Sequence, residues 1–299
     1  MSPILSRLGG AFGFGRKNAA GKTVYGTLTT SPTPASSEAT DGLYTVLTIT
    51  ANCTLTLSAG EGITADILMM GGGGGPYPSG NYGGGPGAGG VLYVQDRGLT
   101  AGPYPISIGT AGGASYAKGT GSTFLGMIAI GGGGAKYPGP SLPQPQRASG
   151  SPGGSGGGES SSGGPVPTVP LGGGEGLQPT GGPTHPTFPT APQTVTNYGT
   201  PGFTGPPSYI APRGPQGSPG WGRQGAGGGA GAPARSYPDR TVQITGGAGI
   251  SNSITGSAVT YGAGCPPPKN PPSNANPNTA GRGSGNTPGS IIIRYIKEE

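Results

Sequence analysis

The residue types that usually carry catalysis are few in this sequence, and they lie far apart. His185 is the single histidine, which argues against a histidine-based triad and against a histidine-containing metal cluster. The acidic residues are scattered, and no glycine run continues into the Lys-Ser/Thr of a phosphate-binding loop. We therefore expect no catalytic residue, no metal site, no cofactor and no enzymatic activity.

Aromatic residues within the Gly/Pro-rich segments are better candidates for binding. Rings with small neighbours tend to be exposed, and they stack on sugar rings or on apolar loops of a receptor. For each ring the alternative is packing against the rest of the chain. The candidate receptor-contact residues are Tyr77, Tyr82, Tyr137, Phe188, Tyr198, Phe203, Tyr209, Arg213, Trp221 and Arg223.

Cys53 and Cys265 are the two cysteines of the chain. Two distant cysteines in a chain made in a cytosol are more often free thiols, whereas an oxidising environment would permit one disulfide. We expect free thiols.

The composition is dominated by glycine and proline. The 299 residues include 70 glycines and 36 prolines, whereas average proteins contain roughly 12% of the two together. Only 9% of the residues are charged, and the net charge of +6 is spread thinly. No Lys/Arg run or nucleic-acid module is present, so we expect no nucleic-acid partner. No window approaches the roughly 18 apolar residues that a membrane span needs.

The apolar residues cluster in short segments with the alternation of β-strands. In 43–50, Leu43, Leu47 and Ile49 share one parity, and in 53–58 cysteine and leucines alternate with threonines. We expect further strands at 63–70, 91–94, 104–108, 123–130, 240–244, 257–261 and 290–296. The predicted fold class is all-β, a small β-sandwich-like framework with little or no α-helix.

Glycine runs follow several of these strands, as in Ile67-Leu-Met-Met-Gly-Gly-Gly-Gly-Gly75. Within the insertion, glycine recurs in one phase of three between Gly199 and Gly220, with Ser208 and Ala211 in the two gaps. Three is the repeat of a polyproline II-type helix, whose backbone groups point sideways to neighbouring chains. We expect the long Gly/Pro-rich insertions to form polyglycine/polyproline II-type rods that bond laterally. Disorder of the insertion is the alternative.

The first 22 residues differ from the rest of the chain, because they mix apolar residues, glycines and basic residues without an acid. The glycines argue against a stable helix, and such a leader is typical of an attachment peptide that orders on a partner. A frayed terminus is the alternative. The candidate attachment residues are Ile4, Leu5, Arg7, Leu8, Phe12, Phe14, Arg16 and Lys17.

Several motifs occur in an order that resembles the glycine-rich domain of tail fibres and other virion-surface proteins of tailed bacteriophages. They are a Thr-rich strand pair, the Ile67–Gly75 run, Gly87-Ala-Gly-Gly-Val-Leu-Tyr93, Tyr104–Gly113, Gly119–Gly134 and the closing Gly289–Tyr295 strand. The resemblance covers Thr27–Ile296 and leaves Met1–Gly26 outside it. The high proline content of 136–238 and 266–278 departs from the pattern.

The resemblance implies a virion-surface adhesin without catalytic residues, whose loops contact a host glycan or outer-membrane protein. It implies a location on a tail fibre or the tail, with tail, baseplate or capsid proteins as partners. The alternative is a capsid-decorating or head-fibre protein with a purely structural role, and an extracellular matrix protein is a weaker one. Because tail fibres are commonly trimers, the resemblance also allows a homotrimer of this chain. The predicted organisation is an attachment segment (1–26), a β framework with glycine rods (27–135), a Gly/Pro-rich insertion (136–239) and a closing framework (240–299).

Overall fold

The computed structural model describes fourteen stretches of the chain, and all statements below concern these residues. They are 16–17, 23–24, 26–32, 36–59, 62–75, 85–113, 117–135, 147–148, 153–157, 160–161, 195–198, 227–232, 246–265 and 287–296. Within these stretches the protein is all-β and contains no helix, as the sequence predicts. Accordingly, no helix in the described part of the chain meets the length and apolarity required to cross a membrane.

The described stretches contain seventeen strands. They are β1 (Arg16–Lys17), β2 (Thr23–Val24), β3 (Leu28–Ser31), β4 (Ser36–Asp41), β5 (Tyr44–Ile49), β6 (Cys53–Leu57), β7 (Ile63–Met70), β8 (Val91–Leu99), β9 (Gly102–Ile106), β10 (Ser122–Phe124), β11 (Met127–Ala129), β12 (Arg147–Ala148), β13 (Ser160–Ser161), β14 (Val195–Tyr198), β15 (Ile250–Asn252), β16 (Val259–Tyr261) and β17 (Ser290–Ile296).

Two sheets form the framework. The larger has the antiparallel order β14-β8-β7-β17-β5-β4, and the smaller has the order β3-β6-β9. Their inward side chains share one core, in which Leu55, Ile67 and Ile293 are fully buried. Strand β6 lies between the core and the solvent because its apolar and polar residues alternate. Cys53, Leu55 and Leu57 are buried, while Thr54 and Thr56 are partly exposed. This arrangement of two sheets around one core is that of a sandwich.

The central strands of the larger sheet are apolar on both faces because both faces are covered. The outer face carries a second core of Leu68, Met70 and Ile292, onto which the β15–β16 hairpin packs with Ile254 and Tyr261. The sequence predicted that β7 ends with both faces apolar, and the burial of all four residues from Ile67 to Met70 confirms it. For this reason, strands of sheets that are covered on both faces have continuous apolar runs in their sequences.

Several expected elements differ in detail. The stretch 123–130 is a hairpin of β10 and β11, because Leu125 and Gly126 have φ of 54° and 76° and reverse the chain. Leu43 is 80% exposed rather than buried with Leu47 and Ile49, because it is the second residue of the turn Gly42-Leu43. Strand β8 extends to Leu99, β9 begins at Gly102, and β15 was not predicted. The strand expected at 240–244 lies outside the described residues.

Candidate functional site: the glycine bundle

Ten short segments, none of them helical and mostly outside the strands, lie side by side at one end of the framework. We call them the glycine bundle: 71–75, 85–90, 109–113, 117–121, 130–135, 153–157, 227–232, 246–249, 262–265 and 287–289. They are linked to one another by backbone hydrogen bonds that run between segments. Most residues of 71–75, 85–90, 131–135 and 153–157 are buried. Hydrogen bonds between segments therefore satisfy many of the buried N–H and C=O groups of the bundle, without ladders of paired strands.

The bonds of the segment 71–75 repeat every three residues. The amides of Gly71 and Gly74 donate to Gly90 and Gly87, at 3.0 and 2.9 Å between N and O. In the same way the amides of Gly72 and Gly75 donate to Thr120 and Ala117, at 3.0 and 2.8 Å. The amide of Gly73 donates to Thr287 at 2.8 Å, and so faces a third neighbour.

The carbonyl groups of this segment point to two further neighbours with the same spacing. Gly72 and Gly75 accept from Gly132 and Ala135, at 2.8 and 3.1 Å, while Gly73 accepts from Gly112 at 2.9 Å. One segment is thus bonded to five others. A return to the same neighbour at every third residue is the bonding geometry expected of a polyproline II-type helix rather than of a β-strand, in which the direction alternates.

Each segment has one end at the framework, or near it, and one end away from it. The segment 71–75 continues β7 outward from Met70, and 85–90 leads back into β8 at Val91. The segments 109–113, 130–135 and 262–265 also run outward, after β9, β11 and β16, whereas 117–121, 246–249 and 287–289 lead inward to β10, β15 and β17. We call the outward end the distal end. The residues there are Gly75, Gly85, Gly113, Ala117, Ala135, Gly157, Gly227, Gly246, Cys265 and Thr287.

Ser122 joins the bundle to the framework. Its hydroxyl donates to the Met70 carbonyl at 2.6 Å and accepts the Gly109 amide at 2.9 Å, and the side chain is fully buried. The end of β7, the segment 109–113 and the start of β10 are therefore fixed together at the junction where glycine replaces apolar side chains.

Both cysteines are buried thiols outside any disulfide, as expected. Burial raises the pKa of the Cys265 thiol to about 12 and also raises the pKa of Cys53. A thiol with a raised pKa carries little thiolate near neutral pH, so neither side chain is suited to nucleophilic chemistry.

No group of three or more metal-ligating side chains occurs among the residues that the structure describes. The bundle does carry a shallow groove of about 220 Å³ on its side, lined by Lys118, Gly119, Gly121, Ile128, Ile130, Gly131 and Gly153. Its lining contains one cation and no acid or histidine, so it lacks an acid–base pair for catalysis.

The carboxylate of Asp66 has a structural role that the sequence did not indicate. One oxygen accepts the Asp96 amide at 3.0 Å, and the other is 3.5 Å from the Tyr93 hydroxyl. Asp96 has a φ of 55°, and the register of β7 against β8 shifts between Ala65 and Ile67. The carboxylate therefore stabilises a β-bulge at the base of the larger sheet.

The candidate contact residues divide into one described residue and nine others. Tyr198 lies in β14, with its backbone opposite Val91 at the edge of the larger sheet. The other nine lie outside the described residues: Tyr77, Tyr82, Tyr137, Phe188, Phe203, Tyr209, Arg213, Trp221 and Arg223. All ten belong to connections that leave the bundle at the distal residues Gly75, Ala135 and Gly157. The structure brings none of them together within its described part.

The candidate attachment residues are described only in part. Arg16 and Lys17 form β1, which pairs with β2 through Val24 and Thr23. Ile4, Leu5, Arg7, Leu8, Phe12 and Phe14 lie outside the described residues, and so do His185 and the in-phase run from Gly199 to Gly220. In comparisons with known proteins, the chain matches no protein-family model and no curated sequence.

Proposed function

We propose that this protein is a structural component of the surface of a tailed bacteriophage, a tail-fibre or tail-tip adhesin, and that it is not an enzyme. The observation that carries the proposal is the two-ended arrangement of the chain. The bundle stands on one end of the framework and sends its connections out at the distal end. The leader enters at the opposite end, where Gly26 precedes β3.

The entry point of the leader can be read from the strand directions. Thr27 donates its amide to the Ser58 hydroxyl and accepts the Ser58 amide, at 2.8 and 3.0 Å. Ser58 follows β6 and precedes the start of β7, which is the end of β7 remote from Gly71. We call this the basal end. A leader that attaches to the particle would therefore direct the bundle and its loops away from it.

The bundle suits the presentation of loops. Its segments are held by bonds between backbone groups, so its geometry is independent of the side chains in the connections that it carries. Binding residues are commonly found on loops that a rigid scaffold positions. In this proposal the aromatic residues of the distal connections contact a host glycan or outer-membrane protein, while the basal end contacts tail, baseplate or capsid proteins.

The test is adsorption of phage particles whose genome encodes the chain. Replacing Tyr77 and Tyr82 with serine should leave the protein in the particle and lower the adsorption rate about tenfold or more, the loss expected for interface anchors. Ile128→Ser is the matched control, because Ile128 is an exposed apolar residue in the described part, outside the distal connections. Normal adsorption after serine replacement of all the candidate aromatic residues would favour the capsid-decorating alternative.

Incorporation of the protein into the particle tests whether the leader at the basal end attaches it there. Deletion of residues 1–15 should remove the protein from purified virions, measured by quantitative mass spectrometry, while the isolated protein retains its thermal unfolding. Absence of the full-length protein from virions would overturn the proposed function.

A further inference from the structure

Three exposed apolar side chains lie together at the basal end, and we call them the basal patch. Leu43 is 80% exposed, Tyr44 is 39% exposed and Ile296 is 46% exposed. Tyr44 and Ile296 are directly opposite on the adjacent strands β5 and β17, and Leu43 precedes Tyr44 in the turn. Side chains opposite each other on neighbouring strands lie on the same face of the sheet.

The patch is held in place by charged neighbours. The Arg294 guanidinium lies 3.9 Å from the centre of the Tyr44 ring, and its Nη2 is 2.8 Å from a carboxylate oxygen of Asp41. Gly42, with a φ of 60°, occupies the first position of the two-residue turn, as a type II′ turn requires. The apolar side chains are therefore presented by a fixed hairpin, so little ordering entropy opposes binding there.

The leader reaches the same end of the molecule. Thr27, next to Gly26, is hydrogen-bonded to Ser58 at the basal end, and the 15 residues before β1 can span about 50 Å when extended. That length exceeds the roughly 10 Å that separates packed sheets. The leader is thus long enough to pass across the basal end of the larger sheet to its outer face.

The charges of the two parts are complementary. Residues 1–26 contain Arg7, Arg16, Lys17 and Lys22 and no acid. In contrast, the described strands of the two framework sheets carry four acids, against the two arginines at 97 and 294; the acids are Glu38, Asp41, Asp66 and Asp96. The apolar residues of the leader match the basal patch, and its basic residues match the excess of acids over arginines on the described framework strands.

We infer that the leader docks on the basal patch of its own chain. Attachment through a short connection gives the leader an effective concentration in the millimolar range, so a weak apolar contact is enough to cover the patch. The leader then shields the patch in the free protein. This inference concerns the isolated chain and does not rest on the proposed function.

Site-specific photocrosslinking in the full-length protein tests the docking. A p-benzoylphenylalanine at position 43, and in a second variant at position 296, should crosslink to residues 1–17, identified by peptide mass spectrometry. The control places the same group at Ile128, which is 47% exposed and therefore matches Ile296 in exposure. We expect about tenfold more leader crosslinks from the patch than from position 128. The triple variant Arg7→Glu, Arg16→Glu, Lys17→Glu should reduce the yield from position 43 several-fold.

The occupant is identified by mixing isotopically light and heavy chains before irradiation. Crosslinks within chains of one label support docking in the same chain. Crosslinks between light and heavy chains would show that a second copy provides the leader, and this result would overturn the inference. Equal yields from positions 43, 296 and 128 would overturn it as well.

Discussion

Gly74 illustrates why individual positions of the bundle require glycine. A Cβ at Gly74 would overlap the carbonyl group of Gly133 on the neighbouring segment, and backbone cannot move aside as a flexible side chain can. Gly98 in β8 differs, since a Cβ there would meet nothing within 4 Å. The requirement for glycine therefore comes from the close approach of segments and not from the composition as such.

Gly74→Ala should lower the free energy of unfolding by about 3 kcal/mol, because the segments must separate to admit the methyl group. Gly98→Ala is the matched control and should change it by no more than about 1 kcal/mol, with stabilisation expected from the reduced freedom of the unfolded chain. Urea unfolding followed by circular dichroism measures both. Equal stability of the two variants would contradict the close packing of the bundle.

The buried thiol of Cys265 predicts a dependence of stability on pH. Its pKa is raised from 9.0 to about 12 in the folded state, so the unfolded chain loses this proton first as the pH rises. The free energy of unfolding should be independent of this group below about pH 8 and should fall by about 1.4 kcal/mol per pH unit between 9 and 12. Unfolding at pH 7.5, 9.5 and 10.5 should give a flatter profile for Cys265→Ala. Burial also raises the pKa of Tyr295, so the free energy of unfolding of Cys265→Ala should still decline in part above pH 10.

At the scale of elements, the strands with simple burial were predictable and the turns were less so. The period of two indicated a strand at 53–58, which ends one residue earlier in the structure as Cys53–Leu57. The apolar run Ser290–Ile296 indicated a strand whose bounds the structure reproduces. Leucine is not typical of turns, although glycine is, so the sequence around Leu125 and Gly126 predicted one strand instead of the β10–β11 hairpin. The hairpin β15–β16 was missed in part because Ile250–Asn252 is too short to show a period.

The edge strand β9 contains Pro103 and Pro105, which protect one edge of the smaller sheet. The Ser107 amide donates outward to the Thr123 carbonyl, so the alternate residues Pro105 and Pro103 face the same outer edge. Proline removes the N–H donors that would otherwise invite pairing with another chain.

The double variant Pro103→Thr, Pro105→Thr should therefore self-associate. It restores two outward donors on a strand of high β-propensity without changing the inward residues Gly102, Tyr104 and Ile106. Size-exclusion chromatography with light scattering at increasing concentration should show larger species than the unsubstituted protein, and each single variant should be intermediate. A double variant that matches the unsubstituted protein at all concentrations would show that the prolines do not protect this edge.

At the scale of the whole molecule, the sequence did not indicate which segments of the bundle are neighbours. The five segments bonded to 71–75 come from positions as distant as Thr287, and the period of three between Gly199 and Gly220 lies outside the described residues. Glycine residues carry no side chains that could specify a partner. The framework strands set where most of the segments begin or end, and so help to decide the pairing. Nor did any pattern in the sequence show that Leu43 and Ile296 lie at one end, because more than 250 residues separate them.

Strand β17 joins the parts of the molecule, and this predicts that the chain depends on its closing segment. It lies between β7 and β5 in the larger sheet, and its Ile291, Ile293 and Tyr295 enter the central core while Ile292 enters the outer one. The residues before it belong to the bundle, since Thr287 accepts from Gly73 and the Gly289 amide donates to Gly109 at 2.8 Å.

A chain that ends at residue 286 lacks the strand that links the two halves of the sheet. It should lose cooperative unfolding by circular dichroism, and a synthetic peptide of residues 287–299 should restore it in a saturable manner. The same peptide with Ile291→Asp and Ile293→Asp should not restore it, because two charges would enter the core. Cooperative unfolding of the truncated chain alone would show that the sheet does not need β17.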